Sequence, residues 1–78
     1  MPIIEMHLLV GRTNEQKRRV AAEVAQATAR ALGCNIETVR ILITEHHTEE
    51  FSVGGVTAAM RAQGLTLSDT PSHQQESH

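Results

Sequence analysis

The sequence predicts an α/β fold in which one long helix connects two parallel strands and a short hairpin follows. Three features favour it: an alternating run at residues 3–10, a capped helix-forming segment at 14–32 and a β-branched run at 38–44. The 78 residues suffice for one domain but not for a large core of its own. We expect the domain at residues 2–62 and a polar, disordered tail at 63–78, where apolar content is low.

The first strand has a period of two. One face carries Ile4, Met6 and Leu8, and the other carries Ile3, Glu5 and His7. This alternation predicts a strand with one buried face.

The helix has a signal at each end. Thr13 and Gln16 match a capping box, so the helix begins near Asn14, and Gly33 is placed to end it as a left-handed cap. Small side chains form the predicted inward stripe: Val20, Val24, Ala27 and Ala31. Such a stripe lets a helix approach a sheet closely.

The second strand, at residues 38–44, places Val39, Ile41 and Ile43 on one face. Strand, helix and strand form a βαβ unit, whose connection is right-handed and whose strands are parallel. Such a unit alone leaves an apolar face and open strand edges. Pairing with a second copy would complete the sheet.

A short extended segment follows the second strand. Residues 51–56 enclose the pair Gly54-Gly55, which suits a tight turn or a small hairpin. We expect this hairpin to lie against a neighbouring subunit.

Composition excludes several classes of function. The net charge of −2 provides no basic field for nucleic acid. The single cysteine, Cys34, favours a reducing compartment, and neither a signal peptide nor a membrane span is evident. The histidines lack the spacing of a zinc ligand set, and no cofactor fingerprint occurs. We expect a cytoplasmic protein with no metal, cofactor, nucleic-acid partner or membrane partner.

Pro2 is the most informative single residue. Met before a small residue is normally removed, which would leave Pro2 with a secondary amine. An ordinary α-amino group has a pKa of about 7.7 to 8.0, and burial or nearby cations disfavour its protonated form. An enclosed N-terminus could therefore be a neutral base near pH 7. The alternative is that Met1-Pro2 is a common beginning without a role.

Two arginines and the only aromatic residue are further candidates. Arg12 lies in the loop after the first strand and Arg40 lies inside an apolar strand, so both could bind an anion. Arg40 could instead form an ion pair with a carboxylate such as Glu5, and Arg12 could simply be solvated. Phe51 could line an apolar pocket or only pack.

Four segments occur in a specific order: Pro2-Ile3-Ile4, Gly11-Arg12-Thr13-Asn14-Glu15-Gln16-Lys17, Val39-Arg40-Ile41-Leu42-Ile43-Thr44-Glu45 and Phe51-Ser52-Val53-Gly54-Gly55. Together they resemble 4-oxalocrotonate tautomerase and its tautomerase superfamily, without gaps from Pro2 to about Ala62. The sequence departs from that pattern at Val10, where an acidic residue is frequent, in the charged stretch at residues 46–50, and in the tail.

The resemblance implies a β-α-β tautomerase fold whose sheet is completed by dimerisation, with three dimers forming a homohexamer. It implies that Pro2, after loss of Met1, is the general base, and that Arg12 and Arg40 bind substrate carboxylates. Phe51 would line an apolar wall. The implied reaction is cofactor-independent ketonisation of a dienol dicarboxylate such as 2-hydroxymuconate to the conjugated 2-oxo acid, within aromatic compound catabolism.

Two alternatives stay open at this point. A hydratase or dehalogenase acting on an unsaturated carboxylic acid would use the same site, with Glu49 or Glu50 as an added water-activating carboxylate. A non-catalytic oligomeric binding module would share the fold but leave the amine unused.

Overall fold

The computed structural model describes residues 1–69, which fall into two compact units. The first is Met1–Glu45 and the second begins at His46. Among the described residues, no helix combines the length and the apolar character that crossing a membrane requires.

The first unit contains the βαβ arrangement that the sequence predicts. Strand β1 (Ile3–Leu9) is followed by helix α1 (Asn14–Leu32) and strand β2 (Arg40–His46), whose last residue already belongs to the second unit. The two strands form one parallel, hydrogen-bonded pair. The α/β fold class is therefore confirmed.

Both ends of α1 have the predicted caps. The Gln16 amide donates to Thr13 Oγ1 at 3.1 Å, and the Thr13 amide donates to Gln16 Oε1 at 2.9 Å. Gly33 has φ +67°, a left-handed conformation that glycine adopts without steric cost. These caps satisfy backbone groups that a helix end leaves open.

The predicted strand faces are also confirmed. The predicted inward residues Ile4, Met6 and Leu8 on β1 are half-buried, as are Ile41 and Ile43 on β2 and Val39 just before it. Leu9 and His46, at the ends of the two strands, are half-buried as well. The opposite face exposes Ile3 (62%) and Leu42 (52%). No described side chain is fully buried, so much of the apolar surface of the single chain remains open to solvent.

The predicted helix stripe is wrong in its second half. Val20 and Val24 are half-buried, but Ala27 and Ala31 are exposed. Ala21 and Ala25 are half-buried in their place, together with Lys17, Thr28 and Ala29. Small alanines lie on both sides of the two valines, so side-chain size could not decide which side faces the sheet.

The second strand begins two residues later than predicted. A 3₁₀ turn occupies Ile36–Thr38, and the strand starts at Arg40 and continues to His46. The β-branched character of Thr38 and Val39 suggests a strand, but Asn35 caps the turn and holds Thr38 within it.

The second unit contains the predicted hairpin and one helix that was not predicted. Strands β3 (Ser52–Val53) and β4 (Val56–Thr57) are antiparallel, and Gly54 and Gly55 turn between them with φ +62° and +85°. Helix α2 (Ala58–Ala62) follows, because the Thr57 side chain accepts from the Met60 amide at 3.0 Å.

The first residues of the predicted tail are folded back by hydrogen bonds. The Leu65 amide donates to the Met60 carbonyl at 2.8 Å, and a 3₁₀ turn forms at Leu67–Asp69. The rest of the predicted tail, residues 70–78, lies outside the described residues. A domain boundary at residue 62 stays a prediction.

Candidate active site

Pro2 immediately precedes β1 and is half-buried. Its carbonyl oxygen accepts a hydrogen bond of 3.0 Å from the backbone amide of Arg40, the first residue of β2. Because parallel strands begin at the same edge of a sheet, this bond fixes the two backbones side by side at that edge.

The guanidinium of Arg40 is exposed and makes one hydrogen bond, from Nη1 to the Thr38 carbonyl at 3.0 Å. The alternative of an ion pair with Glu5 is wrong, since Arg40 has no ion pair within residues 1–69. Glu5 Oε1 lies instead 3.9 Å from His7 Nε2. A guanidinium has five N–H donors, so most of those of Arg40 are available to an anion.

Arg12 lies in the loop after β1, at the opposite end of that strand from Pro2. Its side chain is exposed and has neither a hydrogen bond nor an ion pair among the described residues. Seven strand residues at about 3.3 Å each separate the two positions by about 23 Å. One chain therefore brings Pro2 and Arg40 to one sheet edge and leaves Arg12 at the other.

Phe51 belongs to the second unit. Its side chain is 46% exposed, and its carbonyl accepts from the Ala58 amide at 2.9 Å. An exposed aromatic ring can contribute to an apolar wall. That role for Phe51 stays a prediction.

The two acidic residues considered as water-activating groups make local hydrogen bonds. Thr57 Oγ1 donates to Glu49 Oε1 at 3.0 Å, and the His47 amide donates to Glu50 Oε1 at 3.3 Å. These bonds give both carboxylates a structural role within the second unit. They provide no support for the hydratase alternative.

Sequence reasoning missed two features around the candidate residues. The Thr38 carbonyl holds the Arg40 guanidinium, and Asn35 three residues earlier is the signal that could have indicated a capped turn there. Lys17 Nζ and Glu45 Oε2 form an ion pair of 3.1 Å that joins the first turn of α1 to β2. No local sequence pattern indicates a pair 28 residues apart.

One depression in the surface lies away from the candidate residues. It is lined by Gln16, Arg19, Val20 and Glu23, all on helix α1. None of the predicted catalytic or binding residues contributes to it, so it does not mark the proposed site.

The fold and the candidate residues define a small βαβ protein with a proline ahead of its first strand and two arginines that have no carboxylate partner within residues 1–69. A family model described as "Tautomerase enzyme" matches residues 2–61. The chain belongs to this tautomerase family.

Relatives agree with this assignment. A 2-hydroxymuconate tautomerase of Pseudomonas fluorescens is 44% identical over 59 residues, which cover 76% of this chain and 94% of the relative. A solved structure from a study of 4-oxalocrotonate tautomerase isozymes of Methylibium petroleiphilum has 52% identity and a TM-score of 0.79, covering 81% of this chain and 98% of its own. The chain is therefore an enzyme of the isomerase class.

A second solved structure shows the diversity of assemblies among relatives. It comes from a heterohexameric 4-oxalocrotonate tautomerase of Chloroflexus aurantiacus and has 32% identity and a TM-score of 0.73. The match covers 76% of this chain and 95% of the other. Oligomers thus occur among the tautomerases that this chain resembles.

Proposed function

We propose that this chain is a cofactor-independent tautomerase that ketonises a dienol dicarboxylate such as 2-hydroxymuconate. The observation that carries the proposal is the pair of exposed arginines, Arg12 and Arg40, without a carboxylate partner among residues 1–69. Unpaired guanidinium groups suit the two carboxylates of a diacid. The similarity to a 2-hydroxymuconate tautomerase over 94% of that relative supports the same substrate class.

Pro2 acts as base and then as acid in the proposed reaction. With Met1 removed, its neutral nitrogen takes the proton of the substrate's enol hydroxyl, and the electrons of the broken O–H bond form the carbonyl. The double bonds shift along the chain, and the same nitrogen returns the proton to a carbon farther along. Atoms and electrons balance without a cofactor.

Arg40 stabilises the charge of the intermediate in this proposal. Negative charge develops on the oxygen that becomes the carbonyl, and a positioned guanidinium beside it lowers the energy of the transition state. Arg12 anchors the distal carboxylate, and Phe51 contributes an apolar wall. These assignments follow the family resemblance residue by residue.

The proposed site is shared between copies of the chain. About 23 Å of strand separates Pro2 from Arg12, which exceeds the length of a six-carbon diacid, so one chain cannot present both to one substrate. The exposed apolar residues Ile3 and Leu42 on the outer sheet face favour burial against further copies. We propose a homohexamer built from three dimers.

Subunit mixing tests the shared site. Pro2→Leu is designed to keep Met1 in place and so to block the base, while Arg12→Ala removes the distal anchor. If unfolded and refolded together in equal amounts, the two weakly active variants should recover about a quarter of the wild-type kcat/KM with 2-hydroxymuconate, because random assembly completes that share of sites. Activity no higher than the mean of the separate variants would contradict a site shared in this way.

A further inference from the structure

Asn35 organises the turn that precedes Arg40. Its side-chain Oδ1 accepts from the Glu37 amide at 2.9 Å. Its carbonyl oxygen accepts from both the amide and the hydroxyl of Thr38, at 2.9 and 2.7 Å. The bonds to Thr38 are accepted by the Asn35 backbone, whereas the Asn35 side chain holds the Glu37 amide and so caps the Ile36–Thr38 turn that carries Thr38.

Thr38 in turn holds the Arg40 guanidinium. The Thr38 carbonyl accepts from Arg40 Nη1 at 3.0 Å, while the Arg40 backbone amide is bonded to the Pro2 carbonyl. Both ends of the Arg40 residue are thus attached to fixed backbone: the main chain to Pro2 and the side chain to the capped turn.

This attachment matters because Arg40 is exposed. A free arginine side chain samples many rotamers, and ordering it when substrate binds costs conformational entropy. Holding one nitrogen on a backbone carbonyl reduces that cost in advance. The remaining N–H groups of the guanidinium stay available to a carboxylate or a developing oxyanion.

We propose that Asn35 is a positioning residue for Arg40, which sets the orientation of the guanidinium through the Ile36–Thr38 turn. The inference rests on the proposed function, since it takes Arg40 as the group that faces the reacting oxygen. It adds a residue that touches neither the substrate nor the base.

A double-mutant cycle tests this role. Asn35→Ala should lower kcat/KM for 2-hydroxymuconate by about three- to tenfold in the wild-type background, the range expected for loss of one capping bond. In the Arg40→Ala background the same change should have no further effect, because the guanidinium that it orients is gone. Asn35→Asp keeps the acceptor oxygen and should restore most of the activity.

A matched control separates positioning from general loss of stability. Asp69 Oδ2 accepts from the Thr66 amide at 2.7 Å and caps an exposed 3₁₀ turn in the second unit. Asp69→Ala should lower the melting temperature to a similar extent while leaving kcat/KM unchanged. Should Asn35→Ala fail to fold, Asn35→Gly removes the same oxygen at a smaller stability cost.

Each outcome decides between the two proposals. An equal loss of kcat/KM in both backgrounds, or no loss from Asn35→Ala, would overturn the positioning role of Asn35. The role proposed for Arg40 would be unaffected by that result. Full activity of the Arg40→Ala variant would overturn the assignment of Arg40 in the proposed function. It would also overturn the positioning role of Asn35, which depends on that assignment.

Discussion

The backbone amide of Arg40 donates a 3.0 Å hydrogen bond to the carbonyl oxygen of Pro2. The bond joins the residue before β1 to the first residue of β2, so the proposed base and a proposed anion-binding residue begin neighbouring strands. A backbone bond does not depend on side-chain identity. Substitutions at Arg40 should therefore leave the strand pairing intact and report on its guanidinium alone.

The two arginines should differ in their kinetic effects. Arg40→Ala should lower kcat, because removing one donor from a comparable oxyanion site costs about 2.7 to 4 kcal/mol. Arg12→Ala should mainly raise KM, and its effect should fade with a monoacid substrate that lacks the distal carboxylate. Steady-state kinetics with both substrates measures the difference. Equal effects of both changes on both substrates would refute the division of roles.

The Lys17 and Glu45 ion pair should contribute a small, salt-dependent stability. The side chains are only 25% and 34% exposed, so Lys17→Met should lower the free energy of unfolding by up to about 1 kcal/mol, and less at high salt. Arg19 and Glu15, 3.6 Å apart and 65% and 82% exposed, provide the control pair. Urea unfolding of Arg19→Met should show a smaller change. A larger loss for Arg19→Met would contradict this ranking.

The two hairpin glycines should respond oppositely to substitution. Gly54 has φ +62° and open space at its missing Cβ, so Gly54→Asn should be neutral or stabilising, since asparagine suits this turn position. A Cβ at Gly55 would lie 3.3 Å from Leu67 Cδ1 with φ +85°. Gly55→Ala should therefore lower the melting temperature. The reverse order in thermal unfolding would show that the turn differs from this structure.

Activity should rise with pH if Pro2 is the base. The amine acts only when it is unprotonated, so kcat/KM should increase as pH rises through its titration and then level off. Pro2→Ala keeps a terminal amine nearby and should retain part of the activity. A pH profile that falls over this range, or is unchanged in an N-acylated protein, would argue against the amine.

Much of the fold could be predicted because short sequence patterns mark where its helix begins and ends and which strand face is buried. Thr13, Gln16 and Gly33 mark the ends of α1, and the alternation around Met6 sets the buried face of β1. The helix at Ala58–Ala62 has one local signal, the Thr57 cap at its start. Its five residues are fewer than periodicity can identify.

The candidate site was less accessible to sequence reasoning. An arginine within an apolar strand marks Arg40 as a candidate, but its contact with the Thr38 carbonyl depends on a turn at Ile36–Thr38. The β-branched residues there favour a strand, so the sequence does not predict that turn. The separation of Arg12 from Pro2 emerges only when β1 is placed between them. Residue type therefore indicated the candidates, whereas strand direction determined which of them one chain brings together.

The most direct test concerns the Pro2 nitrogen. Intact mass spectrometry gives the fraction of purified chains that have lost Met1. The turnover of 2-hydroxymuconate can then be measured for preparations in which that fraction is known. The account predicts activity in proportion to the processed fraction, because an amide nitrogen at Pro2 cannot act as a base. Turnover by chains that retain Met1 at the rate of processed chains would contradict the proline-base mechanism.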